Sequence, residues 1–339
     1  NYGGKRTQTL LVIGSSLGEF ASNGGASYLK DISNIIHVNT DRKCFGRLGE
    51  HSINIEMDAK MFLKKIIANK KVEAAQETIK ARNQKRLNEF RSTISMNLYS
   101  RFDDDLSLAN EDLTGQRVVY AVSEALAQCV GNDTVVNVVA DTGSAKLYAA
   151  HYMRYQPGWR CLMNSGTIDC LGFGLSAAIG AAVGSLDQNE NALTICFVGD
   201  GGLLMNNELN TLAANSSLRN LQLIVFVLND ASLSYVHQGF AAVTGRPLES
   251  TRFHRRVDFS VMASAFGLKS SVVNKASEIN SVFFSKALSE KNGPLIVDCR
   301  ISNKVIGPGL SRYNQVRAML GKPPLSPSQM ASIGNVIIK

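Results

Sequence analysis

Two acidic residues stand directly after two apolar, β-branched runs. Residues 192–198 (ALTICFV) lead into Gly199-Asp200-Gly201-Gly202, and residues 221–228 (LQLIVFVL) end in Asn229-Asp230. The stretch 202–228 between them can hold one crossover helix, so both runs fit parallel strands with a carboxylate at each carboxyl end. Neighbouring strands lie roughly 5 Å apart, close enough for one hard cation to take an oxygen from each acid. The glycines around Asp200 carry no Cβ, which lets backbone N–H groups approach an anion ahead of a helix expected to start near Asn206. A divalent cation beside an anion site of this kind is an arrangement that holds a diphosphate.

A rigid sheet has to stand behind these side chains, and the sequence alternates strand-like and helix-like segments. Strands are expected over 9–14, 34–38, 134–140, 160–163, 192–198, 221–228, 270–273 and 294–299. Helices are expected over 58–67, 116–130, 146–152, 174–184, 206–215, 258–266 and 277–291. Strands apolar on both faces and separated by helices imply an α/β fold, with parallel sheets covered by helices on both faces. Ligands of such sheets bind at the carboxyl ends of the strands. The stretch 71–113 is polar and charged and reads as a linker between a smaller Rossmann-like unit over 1–70 and a larger one over 114–339.

Composition narrows the class. Of 339 residues, 45% are hydrophobic and 19% charged, a balance that fits a globular core and excludes disorder. No apolar run reaches the roughly 18 residues of a membrane span, and no basic-then-apolar leader opens the chain. A cytoplasmic protein without membrane partners is expected. Net charge is +8, and ten basic residues against three acids over 60–91 account for nearly all of it. Charges at helical spacing read as a solvated face or linker, so no nucleic-acid partner is expected. The six cysteines show no C-x-x-C pair, and several lie in apolar runs; buried, reduced thiols are expected. His37, His51, His151 and His254 lack metal-ligand spacing. The GSSLG stretch 14–18 lacks G-x-G-x-x-G and reads as scaffold.

Four ordered motifs together carry a family resemblance. They are Asp141-Thr142-Gly143-Ser144, then 169–181 (DCLGFGLSAAIGA), then Gly199-Asp200-Gly201 with Met205-Asn206, and finally Asn229-Asp230. The chain resembles the thiamine-diphosphate (ThDP) enzymes, specifically the acetolactate-synthase-like decarboxylase and carboligase branch. Asp258-Phe259 and 293–298 (GPLIVD) also match, and 7–58 looks like the second half of the family's middle domain. The resemblance implies a pyrophosphate-binding fold beside a partial Rossmann-like middle domain.

It implies roles as well. Asp200, Asp230 and the carbonyl of Ser232 would ligate Mg²⁺. Gly143, Ser144, Gly201 and Gly202 would contact the diphosphate. Leu171, where the family usually has Met, would be the wedge that bends the cofactor into its V shape. The backbones of Asp169 and Leu171 would meet the aminopyrimidine, although Asp169 replaces a family glycine and puts a side chain in a tight place. Ser176 replaces a family proline. Tyr235, His237 and Gln238 fall where the family builds part of its substrate wall.

The family's catalytic glutamate belongs to a separate pyrimidine-binding domain that residues 1–339 do not contain, and the first residue is Asn1. The chain is therefore expected to be the carboxyl-terminal part of a larger enzyme acting on a 2-oxo acid, inactive alone. It is expected to work as a homodimer or tetramer. A non-catalytic or regulatory ThDP-binding subunit is the competing expectation.

Overall fold

The computed structural model describes residues 9–17, 32–46, 52–78, 113–131, 133–164, 168–246, 248–289, 293–302 and 310–326, with isolated positions at 80, 81, 83, 84, 88 and 329. Most of the stretch expected to be a linker, and His51, lie outside them. The chain forms two compact units, residues 1–104 and 105–339.

The first unit is a three-stranded parallel sheet, β1 (Thr9–Ile13), β2 (Asn34–Asn39) and β3 (Ser52–Glu56), in that order. Helix α1 (Ala59–Ile67) starts where the Asp58 carboxylate accepts from the Met61 N–H at 3.1 Å, and a short α2 (Lys70–Ala74) follows. Strand β3 has no counterpart in the sequence reading. His37 Nε2 and Asn39 Nδ2 both donate to the Ser15 carbonyl, at 2.8 and 3.1 Å. Internal partners thus occupy the Ser15 carbonyl within the 14–18 stretch, whose last residue lies outside the described ones.

The second unit is a six-stranded, all-parallel sheet. Its elements are α3 (Gly115–Cys129), β4 (Val135–Ala140), α4 (Ser144–Tyr152), β5 (Arg160–Met163), α5 (Phe173–Asp187) and β6 (Ala192–Gly199). After these come α6 (Asp200–Met205), α7 (Leu209–Ala214), β7 (Leu223–Asn229), α8 (Ser234–Thr244), α9 (Phe259–Ala265), β8 (Lys269–Val273), α10 (Ser281–Ser289), β9 (Leu295–Arg300) and α11 (Leu310–Met319). The spatial order is β5-β4-β6-β7-β9-β8. Both faces are covered because the strands alternate. Val139, Cys196, Val198, Val225 and Val227 pack with Leu175, Ala178, Leu203, Leu212 and Phe259 on one face. On the other, Phe226 stacks on Phe197 at 5.7 Å between ring centres and meets Phe283 and Phe284 of α10, each at 6.2 Å.

Three expectations need correction. The helix expected over 206–215 begins instead at Asp200, breaks after Met205 and resumes at Leu209. Helices α8 and α11 had no sequence assignment. Of the six cysteines, Cys44, Cys196 and Cys299 are buried, but Cys161 and Cys170 are exposed, on the edge strand β5 and in the loop before α5. All six are free thiols.

This strand order decides where a ligand fits. From β4 the chain runs outward to β5, then returns across β4 to β6 and continues the other way. Connections leaving β4 and β6 therefore diverge at their carboxyl ends and open a crevice there. Among the described residues no helix is long and apolar enough to cross a membrane.

Phe226 is fully buried at the centre of the sheet. Phe226→Ala should lower the unfolding free energy by about 3–5 kcal/mol, the usual range for deleting a core phenylalanine. Urea unfolding followed by tryptophan-independent circular dichroism will measure it.

Candidate metal and anion site

The register puts both acids just past the end of one ladder. Strands β6 and β7 pair with Gly199 opposite Leu228, so Asp200 and Asp230 are each the first residues beyond the ladder or one step further. Both are buried, with 3% and 9% of their surface exposed. Asp230 is tethered on three sides. The Ser232 N–H and hydroxyl each donate to it at 3.1 Å, and the Ser234 hydroxyl donates to its other oxygen. Asp200 accepts from the Gly201 N–H at 2.7 Å and leans over the Ala231 and Ser232 amides. Its Oδ2 is buried with no hydrogen-bond partner.

Among the described residues neither carboxylate is in an ion pair. Burial, and then the charge of Asp230, push Asp200 up to about 7. Burial pushes Asp230 up to about 6, against its serine donors and the more distant Arg256. An orphaned buried oxygen and two acids that resist ionising together fit a bound divalent cation.

Ser232 is turned toward the pair by its neighbours. Ala231 holds a left-handed φ of 58°, a conformation that disfavours a residue with a Cβ. The Ala231 carbonyl accepts from Phe253 and the Leu233 N–H donates to Thr251, both at 2.8 Å, which pins the 231–233 segment against 251–253. The backbone on both sides of Ser232 is thus fixed, while its N–H and hydroxyl are given to Asp230.

The anion side is built by close approach. A Cβ on Gly202 would strike the Asp141 carboxylate, and one on Gly201 would strike Leu233. The backbone of α6 can lie this tight only because both positions are glycine. Gly143 precedes α4, and Tyr235 packs over it, 3.9 Å from where a Cβ would stand. Ser144 hydrogen-bonds Tyr148, whose phenol is pushed up by burial and by the Asp230 carboxylate and so stays protonated. These contacts bring the start of α4 next to Tyr235 and the start of α6 next to Leu233 and Asp141, all at the carboxyl tips of β4, β6 and β7.

Leu171 is half-buried in a turn bracketed by two left-handed residues, Asp169 (φ 55°) and Gly172 (φ 85°). His237 and Gln238 are each 1% exposed, inside α8 rather than on its surface. His237 Nδ1 lies 2.7 Å from the Thr251 hydroxyl, and burial lowers its affinity for a proton.

The sequence reading assigned no role to Asp141, yet it organises the crevice. It sits at the tip of β4, fully buried, and accepts from the Gly172 and Gly174 N–H groups at 3.1 and 3.0 Å. It thereby caps α5 from outside, where the N-cap Gly172 has no side chain to do so. Its position after an apolar run, the same as that of Asp200, was the available signal. Asn206 ties the end of α6 to α5 by donating to the Gly172 carbonyl at 3.1 Å and the Ser176 hydroxyl at 3.0 Å.

A parallel α/β sheet with two buried acids and glycine-lined backbone at its switch point offers oxygen donors and backbone N–H groups together. Residues 141–299 match the family model described as thiamine pyrophosphate enzyme, C-terminal TPP binding domain. Over most of its length the chain is also distantly similar to acetolactate synthase large subunits. It is 24% identical over 332 residues to a probable acetolactate synthase large subunit of Methanococcus aeolicus, covering 95% of this chain and 52% of that one. Against the acetolactate synthase isozyme 1 large subunit of Escherichia coli it is 25% identical over 303 residues, covering 89% and 48%. A probable large subunit of Methanocaldococcus jannaschii gives 25% over 341 residues, covering 99% and 54%. The chain thus spans about half the length of the curated relatives it matches.

The acid pair has a signed pH consequence. Both carboxyls bind a proton more tightly folded than unfolded, so the metal-free protein gives up their stabilisation as pH rises from about 4 to about 7. The thermal midpoint of the metal-free protein should fall by several degrees between about pH 5 and about pH 8, and Asp200→Asn should flatten that slope. Excess Mg²⁺ should raise the midpoint at the alkaline end only, because binding displaces the protons. A scan of midpoint against pH, with and without metal, checks all three.

Proposed function

We propose that this chain supplies the diphosphate- and metal-binding part of a ThDP- and Mg²⁺-dependent enzyme acting on a 2-oxo acid, by decarboxylation, carboligation or both. The observation that carries the reading is the pair of buried, unpaired carboxylates on adjoining strand tips, with Asp200 Oδ2 left without a partner. Asp200, Asp230 and the Ser232 carbonyl are the three protein oxygens offered to Mg²⁺, and diphosphate oxygens and water would complete its shell. The backbones of Gly201 and Gly202 and the start of α4 at Gly143 and Ser144 receive the diphosphate. Leu171 supports the cofactor from its turn, with the backbones of Asp169 and Leu171 facing the ring edge. Tyr235 is the nearest of the proposed substrate-wall residues to the crevice, and His237 and Gln238 support that wall from beneath.

When bound, ThDP supplies a thiazolium that accepts the electron pair left as a 2-oxo acid loses CO₂. What this chain's residues do is hold the charge of the diphosphate, exclude water around it and fix the ring edge. The glutamate that exchanges a proton with the aminopyrimidine is assigned to a pyrimidine-binding domain or chain, joined in a homodimer or tetramer.

Calorimetric titration of ThDP tests the reading. Binding should require Mg²⁺, and Asp200→Ala should weaken it by more than the ~10–100-fold typical of losing an outer-shell partner. Metal-independent binding, or an Asp200→Ala variant that binds as the parent does, would remove the assignment. Turnover of a 2-oxo acid only after adding the pyrimidine-binding domain separates an enzyme from a binding subunit. No turnover in any such reconstitution would leave the chain as a ThDP-binding regulatory subunit.

A further inference from the structure

Asp169 stands at a left-handed φ of 55°, in a position where most side chains are disfavoured and where the resembled family has glycine. Aspartate tolerates this region better than most residues, and here its carboxylate is also held. Oδ1 pairs with Lys146 Nζ of α4 and accepts from the Thr142 hydroxyl at 3.1 Å. The two charged side chains are only 12% and 27% exposed, so their attraction is poorly screened. Asn164, at the end of β5, donates to the Thr142 hydroxyl at 2.5 Å and to the Cys170 carbonyl at 2.7 Å. At the far end of the turn the Gly172 N–H donates to Asp141. The turn that carries Leu171 is therefore fastened from three elements: the tip of β4, the first turns of α4, and the end of β5.

We propose that Lys146 and Asp169 are a positioning pair: their ion pair fixes the left-handed turn at 169–172 and so sets where Leu171 meets the cofactor ring. The inference rests on the ThDP reading above. Lys146 lies two residues after Ser144 on the same helix start, so the pair ties the ring-facing turn to the diphosphate-facing helix. A side-chain lock takes the place of the conformational freedom a glycine would bring.

The test is titration calorimetry of ThDP with saturating Mg²⁺, together with hydrogen exchange of amides 168–172 in the ThDP-free full chain. Lys146→Met should weaken ThDP roughly 10-fold, the scale of losing an outer-shell partner. Exchange at 168–172 should quicken in the same variant. Lys146→Arg, which keeps the charge, should restore most of the affinity and the slow exchange. Asp169→Ala, which loses the tether and keeps the positive φ, should bind more weakly than Asp169→Gly, which loses the tether and relieves the φ.

Parent-like affinity and exchange in Lys146→Met, in a parent chain that binds ThDP, would overturn the proposal. A lowered midpoint with unchanged affinity would overturn it too, since the pair would then be merely structural. If the parent does not bind ThDP, the function reading falls by itself, and the exchange comparison still decides whether the pair holds the turn.

Discussion

Two carboxylates that follow the ends of neighbouring hydrogen-bonded strands repel each other, and the rest of the second unit holds those strands in place. At roughly 5 Å and an effective dielectric near 20, the repulsion is about 3 kcal/mol when both are ionised. The β6–β7 ladder cannot relax it, because the strands are hydrogen-bonded up to Gly199 and Leu228, right beside the acids. The chain also denies itself a side-chain remedy. Leu233 and Asp141 fill the space a side chain at Gly201 or Gly202 would need, and Arg256 acts on Asp230 only from a distance. The repulsion can therefore be relieved by a proton or by a cation from solution. Near neutral pH the first remedy is running out, which is where the second becomes favourable.

Much of this scaffold was legible in the residue pattern, for a specific reason. Strands β4, β6, β7 and β9 are buried on both faces, so they appear as nearly continuous apolar runs, with polar residues such as Asn137, Thr194 and Asp298 only singly among them. Strand β3 was missed because Ile53 and Ile55 alternate with polar residues over only five positions, too short a signal to separate from a loop. The insertion of β9 between β7 and β8 has no local signal at all, since strand order is a property of how the helices pack. The start of α6 was misplaced because two glycines argue against a helix on propensity alone. Tertiary packing overrode that preference, as the close approach of Asp141 and Leu233 to those glycines explains.

In the site, what could be read was chemistry carried by residue type at a strand end: Asp200, Asp230 and their glycines. What could not be read was conformation. Nothing about an alanine announces a left-handed φ, yet Ala231 adopts one between Asp230 and the Ser232 that donates to it. Asp169 was expected to crowd its surroundings. Instead, its side chain turns aside to Lys146 and Thr142, so the substitution for glycine is accommodated by a partner 23 residues earlier in the chain. His237 and Gln238 illustrate the opposite limit: their distance along the chain from Asp230 is short, but the pitch of α8 turns both inward.

Asp141 makes the argument about the pair sharper. All three acids sit at carboxyl tips of adjacent strands, all three are buried, and burial raises the proton affinity of all three. For Asp141 the answering groups are backbone N–H donors of Thr142, Gly172, Phe173 and Gly174, whose partial positive charge at the start of α5 offsets its desolvation. Its two oxygens are satisfied within the fold, so it can be a structural cap and nothing more. Asp200 keeps one oxygen without any donor, and its closest charged neighbour has the same sign. A fold that lines up fixed donors for one buried acid and leaves a second facing a like charge makes Asp200, not Asp141, the acid on which the proposed metal site turns.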